Sequence, residues 1–540
     1  MSAAAPADAV ERVEAQGQTL AFVDLGTHAV RLLLVRVAPS GAITTLSQQR
    51  QVVRLGEGAA ADGALQPEAM QRAIVVARAF ADMARAAGAR TVVAIATSAT
   101  REAPNQAAFV ERLHREAGLS VRVVSGDEEA RLAYLGVTSG VDLGGDTALI
   151  LDIGGGSTEL IVGDAARLRF ACSLHVGALQ LTAQFLPGET GPVPSDRFAA
   201  IKRHVRHVAG PSIEPLRTLR VQRAIGSSGS IETLADVAAR KCLGRRRRPG
   251  DVLTRAQLDQ VILALCALSL EARRALPGMD PGRADIIVAG AAILQALMDV
   301  LGVEALHVTD RGVREGLLVD HLATAHPRAL EGRTVRERSV LQLGRRCSVD
   351  ERHARTVQRL ALALFDDARA LGLHAETEDD RARELLGHAA MLHDVGAFLS
   401  YRDRRKLSAL VIRHADLVGF DPDEVAFIAA LERLHRKRPP AGKGPKLAAL
   451  DDSARRAIGP LAALLRLAEC LDQSRAGLVT RAALAAVDDE TVAIDISCAR
   501  GCPLEVWAVE AGAGAFEQAF GRGLVVRVVG GDGISVTGTG

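Results

Sequence analysis

The chain has 540 residues, 48% of them hydrophobic and 24% charged, which excludes a disordered polypeptide and leaves room for roughly three or four domains. The formal net charge of +2 excludes a globally cationic nucleic-acid binder, so attraction for a polyanion must come from local clusters. Aromatic residues make up 3%, with one Trp, too few for base-stacking platforms on RNA or single-stranded DNA.

Residues 1–18 carry Asp8, Glu11 and Glu14 and no apolar stretch. They are expected to form a flexible tail, not a signal peptide. From Thr19 to Val37, TLAFVDLGTHAVRLLLVRV predicts two buried strands joined by a glycine turn. A helical period follows over 67–88, then an apolar strand in RTVVAIATSAT, a helix over 105–118 and a strand in SVRVVSG. This alternation predicts an α/β domain.

The pattern restarts about 130 residues later in TALILDIGGGSTELIVG (147–163). DLGTHAVRLLLV aligns with DIGGGSTELIVG when Asp24 is placed on Asp152. Two copies of one strand–turn–strand unit predict a duplicated, two-lobed fold with a cleft between the lobes. Beyond a basic loop, GRRRRPG (244–250), a helix is expected over 283–302 and a strand then a helix in ALHVTDRGVREGLL. Residues 350–475 are helical in period, and TVAIDISC and GLVVRVVGGDGISVTG return to strand-like alternation.

The seven cysteines are scattered, and Cys498 and Cys502 form a lone CxxxC. This is no disulfide framework and lacks the second pair that structural zinc needs, so a reducing compartment, the cytoplasm, is expected. No run of about 18 uncharged apolar residues predicts a membrane span.

Glycine turns at strand ends can aim successive N–H groups at one anion. In GGGST (154–158) nearly every residue is small enough for the loop to wrap a phosphate. Asp24 and Asp152 would repel bare phosphate but suit a hydrated Mg²⁺ between carboxylate and phosphate oxygens. In SGDEEARLAYLGV, the acids of the first helical turn satisfy the helix dipole. That accounts for Asp127 and Glu128; Glu129 could align or deprotonate a water only if it faces the cleft. Arg101 in ATSATREAPN suits a phosphate clamp, although the spacing alone fits a surface arginine better.

The strings ATSATREAPN, SGDEEARLAYLGV and LILDIGGGSTELIVG, continued by SLHVGALQLTAQF, AIGSSGSIETLADV and GVREGLL, resemble the exopolyphosphatase and guanosine pentaphosphate phosphohydrolase (Ppx/GppA) family over about residues 20–475. The resemblance implies two actin-like lobes of the sugar kinase and heat-shock ATPase superfamily, 19–130 and 131–325, with the active site in their cleft. An all-α HD-like domain (326–478) and a small α+β domain (479–540) would follow. It implies Glu129 as catalytic base and Arg101 as the arginine on phosphate. Asp24, Gly26, Thr27 and His28 would form the first phosphate loop. Gly154, Gly155, Gly156, Ser157 and Thr158 would form the second, and Asp24, Asp152 and Glu159 would be the metal-associated acids. The cofactor is then Mg²⁺, with a monovalent cation such as K⁺ beside it, and a homodimer is expected.

One loop departs from the family pattern, DLGTHA standing where DLGSNS is usual. Thr27 keeps a hydroxyl, His28 replaces an asparagine and Ala29 loses a donor. A partly protonated His28 would donate to phosphate, and activity would then fall toward alkaline pH.

In the helical region His353, His393, Asp394 and His435 are similar to an HD-type metal phosphohydrolase set. Leu407 stands where a further histidine is usual, and Glu469 where an aspartate is usual. These departures predict no working second metal site, leaving dimerisation or a longer substrate groove as the domain's role. Arg245–Arg248 and RLHRKR (433–438) read as solvated loops, or as patches that gather polyanion.

The leading expectation is an exopolyphosphatase that releases terminal orthophosphate. Guanosine pentaphosphate hydrolysis is the alternative, though no base pocket is visible in the sequence. Retained Glu129, Asp152 and Glu159 argue against a non-catalytic sensor of polyphosphate or alarmone, and Glu129 argues for water over a kinase's acceptor.

Overall fold

A computed structural model of the chain describes residues 17–58, 63–373, 380–400, 403–435, 450–498, 501–530 and 533–537. Residues 1–16 of the expected tail, 1–18, and residues 436–438 of the second basic string lie outside these, and Gln18 already belongs to a strand, Gln18–Leu25. The chain divides into two compact units, Met1–Val335 and Arg336–Gly540.

The first unit is mixed α/β and holds two sheets. β1 (Gln18–Leu25), β2 (Ala29–Val37), β3 (Ile43–Val52), β4 (Thr91–Ala96) and β5 (Val121–Val123) form a sheet in the order β3-β2-β1-β4-β5. β1 pairs antiparallel with β2 and parallel with β4. The second sheet contains β6 (Ala148–Ile153), β7 (Thr158–Gly163), β8 (Leu168–Leu174), β9 (Arg223–Ser227), β10 (Val252–Thr254) and β11 (Ala305–Val308). Its order is β10-β11-β9-β6-β7-β8. β6 pairs antiparallel with β7 and parallel with β9, repeating the relations of β1. The duplicated motif in the sequence is therefore a duplicated strand order.

β6 and β7 are buried at every residue, as befits central strands covered on both faces. The edge strand β3 is polar and largely exposed. The Pro67–Ala86 helix starts with Pro in its first turn and buries Ala69, Met70, Ala73, Ile74, Ala77, Phe80, Ala81 and Ala84. That stripe at helical spacing seats it on β1 and β2 in one core. The helix expected over 283–302 is Ile287–Leu301, buried throughout Ile287–Met298 and ended by Gly302 at φ 66°. Residue 130, the expected boundary between lobes, falls inside the Gly126–Thr138 helix.

The second unit is largely helical and includes Glu351–Ala370, Asp380–Leu392, Pro422–Leu434 and Asp452–Cys470. It also carries the sheet β12-β13-β14-β15 (Val479–Ala486, Thr491–Cys498, Gly523–Gly530, Gly533–Thr537). An 18-residue helix, Pro503–Phe520, precedes β14, the helical part of the α+β domain expected there. Helical residues such as Leu464 and Phe365 share one core cluster with Ile494 and Val526 of the sheet, so no break in the core marks the expected boundary at 478. Among the described residues no helix is long and apolar enough to cross a membrane.

Candidate active site

The two glycine turns are closed in the same way at matching positions. Gly26 N–H donates to Ala29 O at 3.1 Å and Gly154 N–H to Ser157 O at 2.9 Å. The turns also meet. A Cβ on Gly155 would lie 3.2 Å from Thr27 Cβ and His28 Cβ, and one on Gly156 would lie 2.5 Å from Ser98 Oγ. Glycine is needed here so that one loop can approach the other. Behind them, a Cβ on Gly177 would fall 2.3 Å from Gly155 O.

Beside the turns lies a cavity of about 420 Å³, lined by Asp24, Gly26, Thr27, His28, Glu129, Asp152, Gly154, Gly155, Gly156, Ser157 and Glu159 among others. Arg101 and Thr158 do not line it. In β7, successive side chains point to opposite faces. Glu159 faces the cavity, so Thr158 faces away, wholly buried, and its hydroxyl donates to Val176 O at 2.6 Å. The expectation that Thr158 donates to phosphate is corrected by this alternation. Arg101 instead holds Glu129, donating from Nη1 to Glu129 Oε2 at 2.8 Å and to Val124 O at 3.1 Å.

Glu129 sits in the first turn of the Gly126–Thr138 helix, which Ser125 caps by accepting from Glu128 N–H at 3.2 Å. The neighbouring acids diverge. Glu128 turns to Arg131, whose hydrogen bond holds its carboxyl below the usual range. Glu129 is 7% exposed. Burial pushes it up to about 7 against the pull of Arg101, with Asp24 and Asp152 adding repulsion.

The acids stand in rows across the sheets. Asp152 is register partner to Glu159 on β7 and to Ser227 on β9, and Glu159 to Ser173 on β8. Ser227 Oγ donates to Asp152 Oδ2 at 2.6 Å, and Ser173 Oγ to Glu159 Oε1 at 2.8 Å. In the first repeat the partner of Asp24 is Arg31, at 3.3 Å. Arg31 thus occupies the place that Glu159 has in the second repeat. Burial raises the carboxyls of Asp24, Asp152 and Glu159, Glu159 most, where Glu129 and Asp152 add repulsion.

Such a set favours a cation. Every donor is a hard oxygen, and Asp24 Oδ1 is buried without a hydrogen-bond partner. Yet the three acids do not each bring an oxygen within 4.8 Å of the others; among the described residues only His353, His393 and Asp394 reach that criterion. They therefore form no closed cage. They suit Mg²⁺, which keeps several waters and takes one or two carboxylates plus substrate phosphate.

Groups that the sequence reading missed bring positive charge. Arg31, Arg50, Arg283, Arg311 and Arg314 line the cavity. Burial pushes Arg283 down to about 9, with Arg50 and Arg31 crowding it further. Ser228 and Gly229 enter at the N-terminus of the Ser228–Cys242 helix, where the backbone turns through φ 73° at Ser228. A Cβ on Gly229 would meet Arg283 Nη2 at 2.1 Å. A helix N-terminus beside a buried guanidinium is an anion site. The SSGS string between an apolar strand and a helix was the signal for it.

His28 is 4% exposed, and neither ring nitrogen has a hydrogen-bond partner. Burial, then Arg283, Arg50 and Arg54, push it down to about 3. It is a neutral imidazole at working pH, which overturns the expected loss of activity toward alkaline pH. In the basic loop, Arg245 pairs with Asp251 at 2.6 Å and Arg247 with Asp236 at 2.8 Å, so half of the arginine run is already matched by acids.

Two sheets of one repeated order meet at glycine turns around buried carboxylates and guanidiniums, a setting that suits an anionic, phosphate-like group. The chain belongs to the Ppx/GppA phosphatase family, whose model matches residues 34–325, with the family's domain III model matching 335–505. It is thus a member of a family of phosphatases. It is similar to the crystal structure of an exopolyphosphatase from Cytophaga hutchinsonii, at 26% identity and TM-score 0.53, over 57% of this chain and 98% of that one. It also resembles an exopolyphosphatase-like protein, at 25% identity and TM-score 0.51, over 56% of this chain and 98% of that one.

Proposed function

We propose that the chain is an exopolyphosphatase that releases orthophosphate from the end of inorganic polyphosphate. The observation that carries this reading is Glu129, a buried carboxylate on the wall shared with both glycine turns and held by Arg101. Water would attack the terminal phosphorus in line. The new P–O bond forms as the bridging P–O bond breaks, Glu129 takes the water's proton, and the shortened chain leaves as a phosphate anion. Arg101 orients Glu129. The backbone N–H groups of Gly154–Ser157 and the guanidiniums of Arg31 and Arg283 would meet the charge that develops on the phosphoryl oxygens. Asp24, Asp152 and Glu159 would hold Mg²⁺, which when bound neutralises phosphate charge.

The recurring strand order supports two actin-like lobes. The lining supports polyphosphate over guanosine pentaphosphate: five arginines, Arg31, Arg50, Arg283, Arg311 and Arg314, stand on it, and among the described residues His28 is its one aromatic ring. The test is phosphate release from long-chain polyphosphate with Mg²⁺, with and without ADP or guanosine pentaphosphate. Release without ADP that is lost in Glu129→Gln supports the reading. Dependence on ADP would indicate a kinase, and binding without release a sensor.

A further inference from the structure

The Ser228–Cys242 helix leads from the cavity to the arginine run. Ser228, Gly229, Glu232, Thr233 and Asp236 all line the cavity, and they recur at the spacing that puts them on one face of the helix. The inner end of this face abuts the acids, since Ser227 Oγ donates to Asp152 Oδ2 at 2.6 Å. From Ser228 the helix carries it about 12 Å outward to Asp236. There Arg247 completes the wall, its Nε donating to Asp236 Oδ1 at 2.8 Å. Burial raises the carboxyl of Glu232, one turn further in, and Arg31 and Arg247 are among the charges that pull it back.

The loop that carries Arg247 is built around one carboxylate. Gly244 and Gly250 bracket it at φ 66° and φ 85°. Asp251 accepts from Arg245 Nη1 at 2.6 Å and Nη2 at 2.8 Å, and from Arg248 N–H at 2.7 Å. Arg245 is thereby spent as a clamp, while Arg246 and Arg248 are exposed. A guanidinium has five N–H donors, and Asp236 takes only the one on the Nε of Arg247, so both of its Nη groups stay open to a ligand. Among the described residues, four guanidiniums thus face two matching carboxylates, and a local surplus of positive charge stands at the outer end of the cavity wall.

We propose that the Gly244–Gly250 loop binds phosphates remote from the scissile end of the substrate, through the Nη groups of Arg247 and the guanidiniums of Arg246 and Arg248. This rests on the polyphosphate reading of the cavity and adds to it a device for chain-length preference. Repulsion between its own charges keeps a polyanion extended. A polymer long enough to pass Asp236 gains the loop's contacts, and a shorter one does not. The planar guanidinium fork matches phosphate oxygens in pairs of hydrogen bonds. Contacts made by exposed arginines are screened by salt.

The test is calorimetric binding of long-chain polyphosphate and of tripolyphosphate to the full-length protein, without Mg²⁺ because guanidinium contacts need no metal. Phosphate release from both is followed separately with Mg²⁺. The double variant Arg246→Ser/Arg248→Ser, and Arg247→Gln alone, should each weaken long-chain binding by about tenfold at low salt. The loss should shrink at high salt, and tripolyphosphate should bind as it does to the parent. KM for the long polymer should rise with kcat little changed. Parent-like long-chain affinity in the double variant, whose altered side chains are exposed and whose fold circular dichroism checks, would overturn the inference. So would equal losses for both probes, or a parent that binds the long polymer no more tightly than tripolyphosphate. Loop-dependent binding without phosphate release would support the loop's role and overturn the hydrolase reading instead.

Discussion

The two units each bury a charged cluster, and the clusters differ in donor and in spacing. Around Asp24, Asp152 and Glu159 the donors are oxygens that stop short of convergence, and arginines share the wall. Around His353 and His393 the donors are nitrogens in near contact. The difference teaches that counting acids and histidines says less than asking which lone pairs have been left to meet.

Replacing Glu129 by Gln sharpens this contrast most. Phosphate release should fall by roughly 10²–10⁴ while far-UV circular dichroism shows the parent fold; an unchanged rate would take Glu129 out of the chemistry. Gly177→Ala comes next. The added methyl collides with the backbone of Gly155 and Gly156, and a denaturant titration should show about 1–3 kcal/mol of lost stability.

The pH profile tests Glu129 more finely. A base must be ionised, and burial keeps Glu129 protonated until about pH 7. Activity should therefore rise through neutrality and then level off. Arg101→Met removes the charge that favours ionisation, so the rising limb should move to higher pH, by about one unit; an unmoved limb would separate Arg101 from the base. The smallest effect is expected of Thr158→Val. It should cost about 1 kcal/mol for the lost hydrogen bond to Val176 and leave kcat/KM near the parent value, because the hydroxyl does not reach the cavity.

Much of the site was legible where chemistry and chain position coincide. The turns at Gly26 and Gly154, and Glu129 in a helical first turn, are local features, and the strand order confirms the repeat that the motif alignment suggested. Thr158 was misplaced although strand alternation with Glu159 was enough to turn it away. The protonation of His28 was misjudged because burial and three nearby arginines are properties of the fold. Arg31, Arg50 and Arg283 were missed for the same reason: strand register and tertiary packing bring them to one wall from distant parts of the chain. A helix was expected in the last α+β segment but its bounds were not read, because its glycines break the helical pattern; tertiary packing tolerates them, and a Cβ on Gly512 would lie 3.7 Å from Arg466 and Cys470 of the neighbouring helix.

The exchange of Arg31 for Glu159 across the repeat has a directional consequence. A linear phosphate polymer is the same from either end and carries no polarity of its own. A gorge flanked by two identical halves would seat it equally well both ways. Opposite charges at matched places in the two halves break that tie, so the host, not the guest, would set the direction in which such a chain leads away from Glu129.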